Sequence, residues 1–203
     1  MKKISNNYSI HELGNFNLDE EKEIKEVETE EEIIADLVNS TVFIKKDQAN
    51  LIYERGYYGQ IQEDRSLKLD PVEALLLSER KRIKIIDKTG AEYSFAQMVR
   101  KYIEIDPELW VKYLCYKDLR SRGYIVRGGY GTEIDYRVYD RGAQLGTDAA
   151  KYFVHTVVEG TPMELIALDK ITKVAKSNRK KLVLAVVDRV GEVTFYKAQE
   201  VDL

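Results

Sequence analysis

Cysteine, histidine and proline are all scarce in this 203-residue chain, and each shortage removes a class of explanation. The single cysteine, Cys115, sits in an apolar run with helical spacing, so neither a disulfide framework nor a thiolate metal cluster is expected, and the compartment is expected to be reducing. The two histidines, His11 and His155, share no local ligand spacing with Cys, Asp or Glu, which argues against a zinc enzyme. No cofactor is expected. The chain has no apolar signal core at its start and no run near the roughly 18 apolar residues that cross a bilayer, so a soluble, cytoplasmic protein without a membrane partner is expected. The three prolines, Pro71, Pro107 and Pro162, all fall where helices are expected to begin.

Apolar residues make up 44% of the chain, enough for one sizeable core or two small ones without staples. The net charge is −3, but it is unevenly placed. From Glu12 to Asp36 eleven carboxylates face two lysines, a local balance of −9, and residues 37–203 carry +4. That excess concentrates in two runs, Lys112, Lys117, Arg120, Arg122 and Arg127, and then Lys170, Lys173, Lys176, Arg179, Lys180 and Lys181. Clustered cations suit phosphate binding, because each neutralised phosphate releases condensed counterions. Either run alone also reads as a solvated helix face.

Along the chain the patterning predicts an α+β protein in three parts: an acidic N-terminal extension over residues 1–39, a small α/β N-terminal domain over 40–104, and a C-terminal mixed-sheet domain flanked by helices over 105–203. The stretch Leu18 to Val38 reads as a solvated helix or as disorder. Thr41–Ile44 reads as a strand, Lys46–Arg55 as a short helix, and Gly56-Tyr57-Tyr58-Gly59 as a turn. Asp70-Pro71 starts a helix through Arg82, Ile83–Ile86 is a strand and Ser94–Ile103 a helix. Asp106-Pro107 opens a longer helix, Glu108–Arg122, which Gly123 ends. Tyr124–Arg127 and Ile134–Tyr139 read as strands joined by a glycine-rich turn at Gly128-Gly129-Tyr130-Gly131. Without a Gly-Lys-Ser/Thr element that turn reads as a hairpin rather than a phosphate cradle. Tyr152–Val158, Lys181–Asp188 and Glu192–Lys197 complete the sheet, with a helix from Pro162 to Ala175 crossing between them.

Three runs in this second domain carry a resemblance. Tyr113-Leu114-Cys115-Tyr116-Lys117-Asp118-Leu119-Arg120-Ser121-Arg122-Gly123-Tyr124-Ile125-Val126, then Asp135 to Gly142, then Val174 to Leu182, follow one another in the order and spacing of the archaeal tRNA-splicing endonucleases. More loosely the similarity reaches back to about Ser40. Each run is weak alone, and the ordered set is specific. The resemblance implies a restriction-endonuclease-like nuclease fold in the C-terminal domain and cleavage of precursor tRNA at bulge-helix-bulge intron boundaries. The products would be a 2′,3′-cyclic phosphate and a 5′-hydroxyl, made without a metal. That chemistry needs a base for the 2′-OH proton, an acid for the leaving 5′-oxygen and a cation for the charged transition state. By match, Tyr139 is the base and Lys180 the charge stabiliser. A free tyrosine phenol titrates near about 10, so the base role requires neighbouring cations that favour the phenolate. Without the resemblance, Tyr139 reads as a strand aromatic and Lys180 as one member of a basic surface run.

The third matched position departs from the family. Where its pattern holds a histidine three residues before the aromatic that opens the next strand, this chain has Ala149 in Ala149-Ala150-Lys151-Tyr152. Alanine transfers no proton. His155 falls six residues later inside a strand, and Asp148 would need a strongly raised pKa, so neither is a close substitute. Two explanations stay open: a catalytic chain whose histidine has become alanine, inactive or weakened, or a non-catalytic subunit that shapes a mixed complex and binds RNA. Retention of Tyr139 and Lys180 favours the first.

The resemblance also implies a clamp on a bulge base, for which the matched residues are Lys173 and Phe195. It further implies an oligomer, either a homo-oligomer (dimer or tetramer) or a complex with a paralogous subunit. Pairing of the last strand, Val193–Ala198, and insertion of the loop Asp188–Glu192 into a neighbour would build it.

Overall fold

The computed structural model describes residues 33–131 and 133–201. The expected acidic extension therefore lies outside them as far as residue 32. Its last seven residues, 33–39, do not form a helix. Ile33–Val38 is strand β1, with Ile33, Ala35 and Leu37 turned inward at every second position, and it lies inside the N-terminal sheet. Alternation of period two outweighs the partly helical spacing upstream, because β1 finds an antiparallel partner in β2 (Thr41–Ile44) and a parallel partner in β5 (Ile83–Asp87). The boundary expected at residue 39/40 thus falls in the β1–β2 turn, and the N-terminal domain starts at least seven residues before Ser40.

The N-terminal domain continues with α1 (Lys46–Gly56), β3 (Gln60–Ile61), β4 (Leu67–Leu69), α2 (Pro71–Glu79), β5, β6 (Glu92–Tyr93) and α3 (Phe95–Ile103). Its sheet order is β3-β4-β2-β1-β5-β6. Helix α2 starts as Asp70-Pro71 predicts. Asp70 and Glu73 form a capping box, and Pro71 occupies the first helical turn. It stops three residues before Arg82, because Lys81 adopts a left-handed conformation (φ 55°) and the Arg82 amide turns back to the Leu77 carbonyl. Ser94 caps α3 reciprocally with Gln97.

The C-terminal domain runs α4 (Leu109–Ser121), β7 (Ile125–Tyr130), β8 (Ile134–Tyr139), β9 (Tyr152–Val158), α5 (Leu165–Ser177), β10 (Lys181–Val187) and β11 (Val193–Ala198). Its sheet order is β11-β10-β9-β8-β7, antiparallel except where α5 carries the chain from β9 to a parallel β10. Gly123 ends α4 as expected, with φ 82° and the Tyr124 amide bonded to the Leu119 carbonyl. Gly128, Gly129 and Tyr130 are not a turn but the second half of β7, and the hairpin turns one residue further on.

One sheet face, with Tyr136, Val138, Val154, Val183 and Ala185, packs against α4. The opposite face, with Phe153 and Leu182, packs against Ile171 and Ala175 of α5. Helix α4 also packs on α2 and α3, so its buried residues Tyr113, Tyr116 and Leu119 join a core that is continuous through both domains. No helix among the described residues is long and apolar enough to cross a membrane.

Candidate active site

Three chain segments meet at one end of the C-terminal sheet. In register, Val138 of β8 faces Tyr152 of β9, and Tyr152 faces Lys181 of β10. Just beyond the strand starts, the Lys151 amide donates to the Val138 carbonyl at 2.8 Å, and the Lys151 carbonyl accepts from the Lys181 amide at 3.2 Å. Tyr139 at the end of β8, the loop through Ala149 before β9, and Lys180 before β10 are therefore fastened side by side. Strands stand about 4.8 Å apart, so β8 and β10 lie roughly 10 Å apart with β9 between them.

Lys180 owes its place to the end of α5. Arg179 takes a left-handed conformation (φ 56°), its amide bonds to Lys176 O, and the Lys180 amide bonds to Ala175 O at 2.9 Å. This pair of bonds is the Schellman arrangement, built here without glycine. It stops the helix and turns the chain into β10. Three other lysines of that basic run are paired, Lys170 with Glu133, Lys173 with Asp169 and Lys176 with Glu200, whereas Lys181 is not among the ion pairs of the described residues. Lys180 has no ion pair among the described residues, which leaves a cation for an anionic ligand.

Tyr139 is 9% exposed and packs with Ile125 and Ala150, with Tyr57, Ala143 and Leu145 around them. Ala150 is inside that cluster and Ala149 is exposed beside it. The loop from Asp140 to Ala150 is tied internally: the Asp148 carboxylate accepts the Gln144 amide at 2.8 Å, and the Asp148 amide returns to Gln144 O. Asp148 is thus spent on loop closure. Lys151 pairs with both oxygens of Asp140, at 3.0 and 2.9 Å, and the hydrogen bond to that carboxylate raises its pKa. Burial raises the phenol of Tyr124, which lies under the Arg141 guanidinium.

His155 stands three residues into β9 from Tyr152, roughly 10 Å along the strand. Its Nδ1 faces Asp135 at 3.5 Å, and the same carboxylate accepts the Thr156 amide and hydroxyl. It is a mid-strand residue away from the Tyr139 end.

The expected clamp is not assembled within this chain. Phe195 pairs with Ala185, on the α4 side of the sheet, and its ring lies under Arg122 at 5.5 Å. Lys173 is on the outer surface of α5, on the other side. There it lines a cavity of about 680 Å³ with Ile166, Asp169, Lys170, Val174 and Ser177. The sheet separates the two side chains, so Lys173 and Phe195 of one chain do not face a common base.

Sequence reasoning missed the contribution of the N-terminal domain. Tyr57, at the left-handed end of α1 (φ 55°), reaches the Tyr139 cluster, and its carbonyl accepts Arg127 Nη1 at 2.6 Å. Arg127 also faces Glu73 at 3.5 Å, and Arg120 covers the Tyr58 ring at 4.1 Å. Gly56 permits that approach, because a Cβ there would sit 2.7 Å from Arg120 Nη2. The Gly56–Gly59 turn was legible as a turn, but nothing local announced what it would touch.

This two-domain α+β build is that expected of an intron endonuclease. Sequence models of known families agree: the tRNA intron endonuclease N-terminal domain matches residues 33–99 and the catalytic C-terminal domain residues 109–195. The chain belongs to the tRNA intron endonuclease family. It is 36% identical over 162 residues to the tRNA-splicing endonuclease of Methanococcoides burtonii, covering 80% of this chain and 45% of that protein. It is 37% identical over 155 residues to that of Methanococcus vannielii, covering 76% of this chain and 86% of that protein. The match to the Thermococcus onnurineus enzyme is 34% over 164 residues, 80% of this chain and 93% of the relative. The chain thus spans about half the length of some relatives and most of the length of others.

Proposed function

We propose that this chain is a tRNA-splicing endonuclease subunit that binds precursor tRNA at bulge-helix-bulge intron boundaries through the Tyr139–Lys180 end of the sheet, and that Ala149 leaves its cleavage chemistry impaired. The reading is supported by the backbone bonds that join Val138, Lys151 and Lys181, each within two residues of a matched position. In the reaction, the Tyr139 phenolate takes the 2′-OH proton, and the 2′-oxygen attacks the adjacent phosphorus. The bond to the 5′-oxygen breaks and that oxygen takes a proton, giving the 2′,3′-cyclic phosphate and the 5′-hydroxyl. Lys180 stabilises the negative charge on the phosphoryl oxygens. No metal takes part. With a methyl group at Ala149, the leaving oxygen must draw its proton from water.

Ala149 itself favours a second reading, a non-catalytic RNA-binding subunit that works beside an active paralogue. The two readings part on one substitution. Ala149→His is expected to restore cleavage of a bulge-helix-bulge RNA in excess chelator by this chain alone; restoration only when a paralogue is added supports the second reading.

Assembly into a homo-oligomer or with a paralogous subunit is part of the same proposal. It is supported by β11, an edge strand with Tyr196 exposed, and by the Asp188–Glu192 turn, which presents Val190 at its tip. A cytoplasmic location fits a substrate that is precursor tRNA.

A further inference from the structure

Tyr130 lies on the wrong side of its sheet. It pairs with Ile134, in step with the Gly128–Tyr136 and Val126–Val138 pairs, so strand alternation assigns its ring to the α4 side. Its ring instead lies 5.7 Å from Phe153, which belongs to the α5 side, and 4.7 Å from the guanidinium of Arg137. The ribbon coils over at the two glycines. A Cβ on Gly129 would sit 1.7 Å from the Ile134 carbonyl oxygen, so only glycine lets the strands approach this closely.

The ring is 52% exposed, yet it is held. Arg137 donates from Nη1 to the Tyr130 hydroxyl at 3.1 Å and from Nε to the Gly128 carbonyl at 2.7 Å, and Phe153 meets the ring at 63°. A fixed aromatic loses little side-chain entropy when a flat ligand stacks on it. The guanidinium carries five N–H donors and these two bonds use two of them, leaving donors that suit a phosphate. Arg137 is two residues from Tyr139 on the same strand face, roughly 7 Å along it. Tyr130 at the end of β7, and Arg137 and the candidate cleavage residue Tyr139 on β8, therefore follow one another along the β7–β8 ribbon.

We infer that Tyr130 and Arg137 form a stacking subsite for one unpaired RNA base near the scissile phosphate. This rests on the reading of the chain as a binder of bulged RNA, and it names a surface that the Lys173–Phe195 clamp does not supply. Bases stack on such rings without demanding sequence, which suits a site that reads a bulge by shape.

The test uses the full chain, as it stands, with three labelled RNAs: a bulge-helix-bulge hairpin, a fully paired duplex of equal length, and decauridylate. Tyr130→Ala is expected to weaken the bulged RNA and decauridylate by on the order of tenfold and to leave the duplex within about twofold. Tyr130→Phe is expected to restore most of the loss, and 2-aminopurine in the bulge is expected to be quenched by the parent but not by Tyr130→Ala. Arg137→Lys, which keeps the charge but loses the fork, is expected to give an intermediate loss. Unchanged affinity in Tyr130→Ala, an equal loss on the duplex, or a change only in sedimentation, which would mark a protein contact, overturns the subsite. A parent that holds decauridylate through Tyr130 but does not prefer bulged RNA to duplex overturns the proposed function instead. A parent that binds none of the three RNAs overturns both.

Discussion

Glu73 of the N-terminal domain and Arg127 of the C-terminal domain face each other at 3.5 Å, and Glu73 is only 2% exposed. One Glu73 oxygen also accepts the amides of Gly59 and Asp70. Burial, helped by the nearby Asp70, outweighs Arg127 and these two bonds and pushes the Glu73 carboxyl up to about 7 from 4.5. Between these values the unfolded chain has released the proton while the folded chain still holds it. Folding stability is therefore expected to fall as pH rises from about 4.5 to 7, by about 3 kcal/mol, and then to level. Urea denaturation of the parent and of Glu73→Gln across this range checks it: the variant loses the slope.

Gly129→Ala is expected to cost about 3 kcal/mol or more, because the new methyl group meets backbone rather than a flexible side chain. Gly142→Ala has open space around its Cβ and is limited to the strain of a positive φ, about 1 kcal/mol. Comparing the two variants by chemical denaturation separates close approach from backbone conformation.

Phe195→Leu is expected to leave bulged-RNA affinity within about twofold and to cost on the order of 1 kcal/mol of stability, since the ring packs under Arg122 on the α4 face. Anisotropy titration together with a denaturation curve measures both. A large loss of RNA affinity without loss of stability would return Phe195 to the RNA surface.

In the Ala149→His background, Tyr139→Phe is expected to lower single-turnover cleavage by on the order of 10²–10⁴-fold, and Lys180→Ala by on the order of 10²–10³-fold. Bulged-RNA affinity is expected to change far less than the rate for Tyr139→Phe, because the missing hydroxyl acts on the proton.

Much of the fold was written locally. Asp70-Pro71, Ser94 and Gly123 mark helix ends through caps that depend only on nearby residues, and the structure places each one as read. The strands Thr41–Ile44, Ile134–Tyr139 and Tyr152–Val158 have the bounds their alternation predicts. Failures came where a distant partner decided. Ile33–Val38 is a strand because β2 and β5 flank it, and Gly128–Tyr130 stays in β7 because β8 pairs with it. The candidate site was legible only through ordered resemblance: nothing in the spacing of Tyr139, Ala149 and Lys180 says that Lys151 will join their strands. Tyr57 and Tyr130 were out of reach for the same reason, since one arrives from the other domain and the other crosses its own sheet. Lys173 and Phe195 lie on opposite sides of their sheet, and a match position carries no side of a sheet with it.

The central claim is that this end of the sheet is an RNA-cleaving site lacking one proton donor. Incubating the Ala149→His chain alone with a bulge-helix-bulge RNA in excess chelator, and resolving the product ends, tests it most directly. The account predicts cuts at the bulges with 2′,3′-cyclic phosphate and 5′-hydroxyl ends, against little or no cleavage by the parent. RNA that is bound but left whole, and is cut only when a paralogous subunit is supplied, would contradict it.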